Sequence, residues 1–454
     1  MLSKHFDLGI AGIHAIAYNT REQDVAVFEG DSAEVWRLLY ENSGDPCSAL
    51  AFIKRNGSFS ANPDTEARSA LADFCSELVS QGLLESAITP RNIAAANFSG
   101  TRSTSDAQRH GGDRTELAFT SLLADHRVLY SLTLELTYRC NESCVHCYCP
   151  GDRARPELTL GQINELLDEF EALGGFSLHL TGGEVFLRKD IKQILQGLKK
   201  RSLLLSITSN LTLLDDEAAD LVASLYPKSV GCSIYSARPE LHDLITRQKG
   251  SFEHSIAAIR KLRERGVPVA IKTPVMASNA SAWREVVALG QDLGCENQFD
   301  LNITARNDGD LAPVDLRLRD NALIEDILKH AFPQLVFGDE RPSQPPRATI
   351  DSMLCGAGGT GLAISPDGTV HPCIALLIPL GKWPGNRLQD IWKRSDFFRD
   401  WSNKKLHHIA ECASCDVSSY CIRCPGAWAA EHGGALKPIE YSCALSRSRA
   451  RVQG

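Results

Sequence analysis

The chain has 454 residues, is 43% hydrophobic and 23% charged, and carries a formal net charge of −8. This length calls for roughly two to four domains. The acidic balance argues against a broad footprint for nucleic acid or anionic lipid, although a local basic groove stays open. No apolar run approaches the ~20 residues of a membrane helix, and Met1 to Asp7 lack the charged-then-apolar order of a signal peptide. The expected location is therefore the cytoplasm, where disulfides are disfavoured and clustered cysteines read as metal ligands. Of fifteen cysteines, ten fall at motif spacing: Cys140, Cys144, Cys147, Cys355, Cys373, Cys412, Cys415, Cys421, Cys424 and Cys443. Cys47, Cys75, Cys232 and Cys295 read as small buried hydrophobes. Cys149 lies two residues past Cys147, so a functional role stays open for it.

In chain order, Ile13 to Ala17 and Val25 to Phe28 are apolar runs around a polar turn, the pattern of a hairpin. Asp31-Ser-Ala-Glu34 predicts a capping box, with Val35, Leu38 and Leu39 as the buried stripe of the helix it starts. A longer helix from about Asp64 carries Leu71, Phe74, Cys75, Leu78 and Val79 at helical spacing, and Gly82 stops it. No clustered His, Cys or paired acids occur here, which suits a binding unit or a structural cap. The hairpin, the stretch Glu29 to Leu39 and the helix ending Phe74 to Leu84 resemble the peptide-recognition element of peptide-modifying enzymes. They also resemble the small peptide chaperone of pyrroloquinoline quinone biosynthesis. The resemblance implies a winged-helix-like α+β domain over residues 1–92 that takes a leader peptide as an added strand. Residues 93–126, rich in Ser, Thr, Arg, Gly and Asp, read as a linker.

From residue 127 to 325 strands and helices alternate. Strands are expected at Leu132 to Leu136, Ser177 to Leu180, Leu203 to Thr208, Ser229 to Ile234 and Val267 to Lys272. Helices are expected at Thr159 to Leu173, Ile191 to Leu198, Glu217 to Leu225 and Glu253 to Arg265. Such alternation predicts an α/β fold, a parallel sheet or barrel with its working residues at the strand ends. The loop after the first strand, Cys140-Asn-Glu-Ser-Cys144-Val-His-Cys147, brings three thiols together at CxxxCxxC spacing. Three thiolates suit a cubane cluster and leave one iron open to a small molecule.

Further strand ends carry Thr181-Gly182-Gly183-Glu184, Thr208-Ser209-Asn210 and Ser233, with Arg247 beyond. In this order behind CxxxCxxC they resemble the radical S-adenosylmethionine (SAM) superfamily. The resemblance implies a partial (β/α)6 TIM-like barrel that holds SAM on a [4Fe–4S] cluster. It places the methionine ammonium on Glu184, with backbone exposed by Gly182 and Gly183. Ser209 and Asn210 would hold the ribose, and Ser233 with Arg247 the methionine carboxylate. Tyr148 is placed to flank the adenine or to pack in the core, and His146 to pack. The family's chemistry is reductive cleavage of SAM to a 5′-deoxyadenosyl radical, which takes a hydrogen atom from an unactivated carbon.

Residues 326–350, with Pro333, Pro342, Pro345 and Pro346, read as a connector to residues 351–454. This last segment holds Cys355, Gly368-Thr-Val-His-Pro-Cys373, Cys412-Ala-Ser-Cys415, Cys421-Ile-Arg-Cys424 and Cys443. Paired CxxC also suits zinc, but seven thiols exceed one Cys₄ site and fall one short of two. The order resembles the SPASM domain of radical SAM peptide and protein maturases. By that resemblance Cys412, Cys415, Cys421 and Cys443 close one auxiliary [4Fe–4S] cluster. Cys355, Cys373 and Cys424 hold a second with an open iron, available to water, a non-Cys ligand or substrate. Cys421 and Cys424 are separated by two residues where the family usually has three, which leaves their assignment open. Lys199-Lys200-Arg201 and Lys404-Lys405 read as solvated faces, one of which could dock a flavodoxin or ferredoxin type electron donor.

The three parts together predict a peptide maturase that cross-links a ribosomally made precursor through a carbon–carbon or thioether bond. The alternatives are a formylglycine-forming protein maturase, a small-molecule radical SAM oxidoreductase, a peptide epimerase and a non-enzymatic iron–sulfur redox sensor.

Overall fold

The computed structural model describes residues 127–331, 351–394, 396–421, 423–434 and 436–453. Before these it describes three strands and a few single positions. Two compact units divide the chain: one takes in Met1–Val128 and Ser202–Leu204, the other Leu129–Arg201 and Leu205–Gly454.

In the first unit, β1 (Ser3–Asp7), β2 (His14–Asn19) and β3 (Asp24–Glu29) form an antiparallel sheet in that order. The β2–β3 pair is the expected hairpin, with His14 opposite Glu29 and Asn19 opposite Asp24. β1 is additional: Ser-Lys-His-Phe-Asp offers one apolar residue and no alternation. Val35, Leu71 and Cys75 are helical and buried. Asp73 and Phe74 are helical too, exposed and half-buried; the rest of the two helices expected over 31–39 and 64–82, and nearly all of the linker 93–126, lie outside the described residues.

The second unit is built on six parallel strands: β4 (Ser131–Thr137), β5 (Ser177–Gly182), β6 (Leu204–Ser209), β7 (Ser229–Ser233), β8 (Val269–Pro274) and β9 (Glu296–Asp300). Helices follow from local signals. α1 (Leu160–Ala172) starts at a Thr159–Gln162 capping box and buries Ile163, Leu166, Leu167 and Phe170. α2 is Ile191–Leu198, and α3 (Asp216–Ser224) is capped by Asp215, which accepts from Ala218 N at 2.8 Å. α4 (Pro239–Thr246) opens with proline and closes at Arg247 in the left-handed region, φ 55°. α5 (Ser251–Glu264), α6 (Trp283–Leu293) and α7 (Asn321–His330) complete the wrapping.

The last segment extends this sheet. β10 (Gly361–Ile364) pairs parallel to β4, with Gly361 opposite Ser131 and Ile364 opposite Leu134. β11 (Thr369–His371) and β12 (Gly381–Lys382) continue it, so the order is β12-β11-β10-β4-β5-β6-β7-β8-β9 and the barrel stays open. α8 (Leu388–Arg394), α9 (Asp396–Ser402), α10 (Pro425–Glu431) and α11 (Glu440–Gln453) follow.

Within the second unit, a buried ion pair ties this last segment to the barrel. Arg317 forks onto both carboxylate oxygens of Glu431 on α10, with side chains only 5% and 8% exposed. Arg317 Nε also donates to Ile303 O at 2.8 Å, and its guanidinium lies 4.8 Å from the Tyr441 ring centroid. Removing one partner strands a buried charge. Glu431→Ala is therefore expected to cost about 3–5 kcal/mol in denaturant unfolding; a loss below 1 kcal/mol would show the pair to be solvated.

Candidate active site

β4 ends in the cysteine loop, which is pinned by backbone bonds to the end of α4: Ser143 N to Thr246 O and Val145 N to Ile245 O, both 3.0 Å. Arg153 Nη1 donates to Glu142 O at 2.8 Å across the loop. Cys140, Cys144 and Cys147 are half-buried free thiols. Cys140 Sγ accepts from Glu142 N at 3.4 Å and from Asn210 Nδ2 at 3.9 Å. Cys144 Sγ lies 3.7 Å from the Tyr235 hydroxyl, and Arg153 Nη2 lies 3.8 Å from Cys147 Sγ. Burial pushes the Cys140 thiol up to about 11 and raises Cys144 as well. Cys147 goes the other way, to about 6, through hydrogen bonding from Cys149 and the nearby Arg153 and Arg306. Cys149 is buried, 3.7 Å from Gly182 O, and acts on its neighbour from inside the packing. His146 packs edge-on against Tyr235, with ring centroids 4.9 Å apart.

The two glycines at the end of β5 are required by a close approach. A Cβ on Gly182, at φ 132°, would meet Thr137 O at 2.3 Å, and one on Gly183 would meet Arg139 O at 2.4 Å and Tyr138 O at 2.7 Å. The turn is closed by Gly183 N to Thr137 O at 2.7 Å and Glu184 N to Arg139 O at 2.9 Å. Backbone atoms cannot swing aside as a side chain can, so Gly183→Ala is expected to cost about 2–3 kcal/mol. A melting temperature equal to that of the unaltered protein would sink this packing account.

Glu184 is fully buried, and its carboxylate accepts from Phe186 N at 2.9 Å, Ser209 Oγ at 2.7 Å and Asn210 N at 2.8 Å. Burial raises its pKa, against these three donors. Ser209 Oγ also accepts from Leu211 N at 2.8 Å, so its hydroxyl is engaged within the protein on both sides. Asn210 reaches back to the cysteine loop through Asn141 Oδ1 at 3.0 Å. Ser233 is half-buried at the end of β7. Arg247 is exposed at the end of α4, next to the carbonyls that hold the loop. Tyr148 is anchored at both ends: its hydroxyl donates to Glu135 at 3.2 Å, and its carbonyl accepts from Asn307 N at 2.8 Å. Glu135, Glu142, Arg153 and Tyr235 escaped the sequence reading. Glu135 alone left a signal, an acid inside the apolar run Leu132 to Leu136.

The seven further thiols separate into two groups. Cys355, Cys373 and Cys424 pack against Leu354, Trp401 and Trp428. Backbone N–H groups point at their sulfurs: Ala357 N at Cys355, Ala375 N and Leu376 N at Cys373, and Ala427 N at Cys424, all at 3.3–3.4 Å. The Cys373 thiol is raised by burial and then by Cys355 and Cys424. Cys412 is pushed up to about 11 by burial and then by Cys421, Cys443 and Cys415. Cys421 therefore sits with Cys412, Cys415 and Cys443, and Cys424 with Cys355 and Cys373. Among the described residues no three His, Cys, Asp or Glu side chains come together as the ligands of a single metal ion. Free thiols met by amide donors suit the wider grasp of a cubane.

Residues 134–289 match the Radical SAM superfamily, and residues 355–416 match SPASM, an iron–sulfur cluster-binding domain. The chain joins a radical SAM domain to a SPASM domain. It is a radical SAM enzyme, homologous to peptide maturases, that binds SAM on one [4Fe–4S] cluster and auxiliary clusters in the SPASM domain. The antilisterial bacteriocin subtilosin biosynthesis protein AlbA of Bacillus subtilis is 26% identical over 309 residues, covering 64% of this chain and 66% of AlbA. The AdoMet-dependent heme synthase of Methanosarcina barkeri is 26% identical over 330 residues (68% and 94%). The PqqA peptide cyclase of Ruegeria pomeroyi is 27% identical over 323 residues (67% and 83%). The fold is shared with SuiB of Streptococcus suis bound to SAM, at TM-score 0.55 and 15% identity over 93% of this chain and 95% of SuiB. SuiB has also been solved with its precursor peptide SuiA. Among the described residues no helix is long and apolar enough to cross a membrane.

Proposed function

We propose that this radical SAM–SPASM enzyme modifies a ribosomally synthesised precursor peptide in the cytoplasm, forming a carbon–carbon or thioether cross-link. The observation that carries the reading is the antiparallel sheet β1-β2-β3 ahead of a radical SAM core. Its outer strands have no partner on one side among the described residues, the edge a leader peptide can extend. Relatives named for a peptide cyclase and a bacteriocin support it. When bound, the SAM-site cluster and SAM supply a hydrogen-abstracting radical, and the auxiliary clusters an acceptor for the electron that an oxidative cross-link releases.

Cys140, Cys144 and Cys147 would hold the SAM-site cluster, with Glu184, Asn210, Ser233 and Arg247 around SAM. Ser209 we place behind Glu184 rather than on the ribose, because its hydroxyl donates to that carboxylate and accepts from Leu211 N. Cys355, Cys373 and Cys424 would hold one auxiliary cluster, and Cys412, Cys415, Cys421 and Cys443 the other. For a flavodoxin or ferredoxin type donor, Lys199 and Lys200 are exposed, whereas Arg201 is occupied by Asp168 at 2.7 Å and Glu171 at 2.5 Å.

The test is anaerobic incubation with SAM, reductant and each short peptide found by searching the neighbouring open reading frames. A cross-link removes a pair of hydrogens and leaves a fragment-resistant segment in the mass spectrum; an unmodified peptide beside active SAM cleavage counts against the reading. The heme synthase match favours a second reading, a small-molecule oxidation, for which SAM cleavage would not respond to any peptide.

A further inference from the structure

Glu135 stands in the middle of β4 between two leucines, only 1% exposed. In the SAM site so far described it serves only to anchor the Tyr148 hydroxyl. A lone buried carboxylate is costly unless every oxygen is met, so its partners matter. Tyr148 donates to its Oε1 at 3.2 Å, and Tyr138 donates to its Oε2 at 2.8 Å. The Tyr138 hydroxyl also lies 3.1 Å from Ser365 Oγ, and Ser365 Oγ lies 3.1 Å from His371 Nε2. Arg155 stands 5.7 Å from the Tyr138 ring centroid and supplies positive charge to the carboxylate.

The ends of this chain of bonds decide its meaning. Tyr148 directly follows Cys147, the last thiol of the SAM-site loop. His371 lies two residues before Cys373, on the strand that leads into the auxiliary trio. Ser365 directly follows β10, whose last pair with β4, Ile364 opposite Leu134, brings it level with Glu135. The sheet fixes the backbones of β4, β10 and β11, with Ala363 opposite His371; the cysteine loop leaves it beyond β4, and the chain leaves it again just beyond His371, toward Cys373. One carboxylate holds both departures.

We propose that Glu135 is a positioning residue, the centre of a buried strut Tyr148–Glu135–Tyr138–Ser365–His371 that sets the SAM-site cysteine loop by reference to the auxiliary-cluster segment. A change at the SPASM end is then felt in SAM cleavage itself. The inference is independent of the peptide reading.

Full-length protein with its clusters reconstituted is assayed without peptide for 5′-deoxyadenosine formation, iron content, melting temperature and the electron paramagnetic resonance spectrum of the reduced SAM-site cluster with and without SAM. Glu135→Gln keeps the shape but exchanges an acceptor for a donor. It is expected to slow cleavage by about ten- to hundredfold, as for other groups that orient metal ligands, and to change the SAM-induced spectral shift at full iron content. Ser365→Ala removes a hydroxyl whose partners are Tyr138 and His371; about three- to tenfold slowing and the same spectral change are expected. The double variant should be no slower than Glu135→Gln alone, because both break one path. Ser365→Ala with unaltered rate and spectrum overturns the strut. So do losses that multiply in the double variant, and losses that merely track iron content or melting temperature.

Discussion

Replacing Cys140, Cys144 and Cys147 together by alanine should abolish SAM cleavage while leaving about eight irons bound, two cubanes' worth. The expectation rests on how the thiols are grouped. The three loop thiols lie at the end of β4, held by α4 through backbone bonds from Ser143 and Val145 that alanine leaves intact. Of the other seven, Cys355, Cys373, Cys412 and Cys424 have their own packing around Leu354, Trp401 and Trp428, and the trio has its own amide donors. Loss of the loop thiols therefore leaves the packing and the amide donors of the auxiliary thiols in place. Iron analysis and 5′-deoxyadenosine assay of the same sample decide the matter. Cleavage that survives refutes the loop as reaction centre, and iron falling well below eight shows the groups to be interdependent. The complementary variant, Cys355, Cys373 and Cys424 to alanine, should remove about four irons.

Much of the barrel was legible because its signals are local. Thr159 with Gln162 and Asp215 with Ala218 begin helices where side chain and backbone spacing require them. The apolar strands β4 to β8 and the helices α1, α2, α3 and α5 carry their periodicity within a dozen residues. β9 reads Glu-Asn-Gln-Phe-Asp and has one buried apolar side chain. It is a strand because β8 offers it a register from Ala270 with Glu296 to Pro274 with Asp300. β1 fails as a sequence signal for the same reason. The pairing of β10 with β4 joins Gly361 to Ser131, and no local pattern encodes a partner so remote.

The site divides in the same way. Cysteine spacing is a local signal, so the thiols stand out in the sequence itself. Residues that act through a third group could not. Gly182 and Gly183 read as exposed backbone, yet what they need is room beside Thr137, Tyr138 and Arg139. Ser209 reads as a ligand contact, yet its hydroxyl serves Glu184. The two-residue gap between Cys421 and Cys424 left their clusters unassigned. The structure separates them because Cys424 caps α10, while Cys421 ends a short turn beside Cys412 and Cys443.

Deleting residues 1–92 should remove tight peptide binding and spare peptide-free SAM cleavage. β3 has six residues, and an added strand would find about half of them with N–H and C=O groups free to bond. At about 1 kcal/mol for each net main-chain bond, less the ordering of the peptide, the loss should be about a hundredfold or more in affinity. The cleavage machinery draws on none of this. The loop thiols, Glu184, Asn210, Ser233 and Arg247 all belong to the second unit, with its own sheet and buried core. Fluorescence anisotropy with a labelled leader segment measures the first quantity, and 5′-deoxyadenosine without peptide the second. Unchanged affinity overturns the sheet as the capture site and moves recognition to the barrel. Lost cleavage at full iron content would mean that the first unit also shapes the SAM site, and capture and chemistry would then have to be treated as one coupled event.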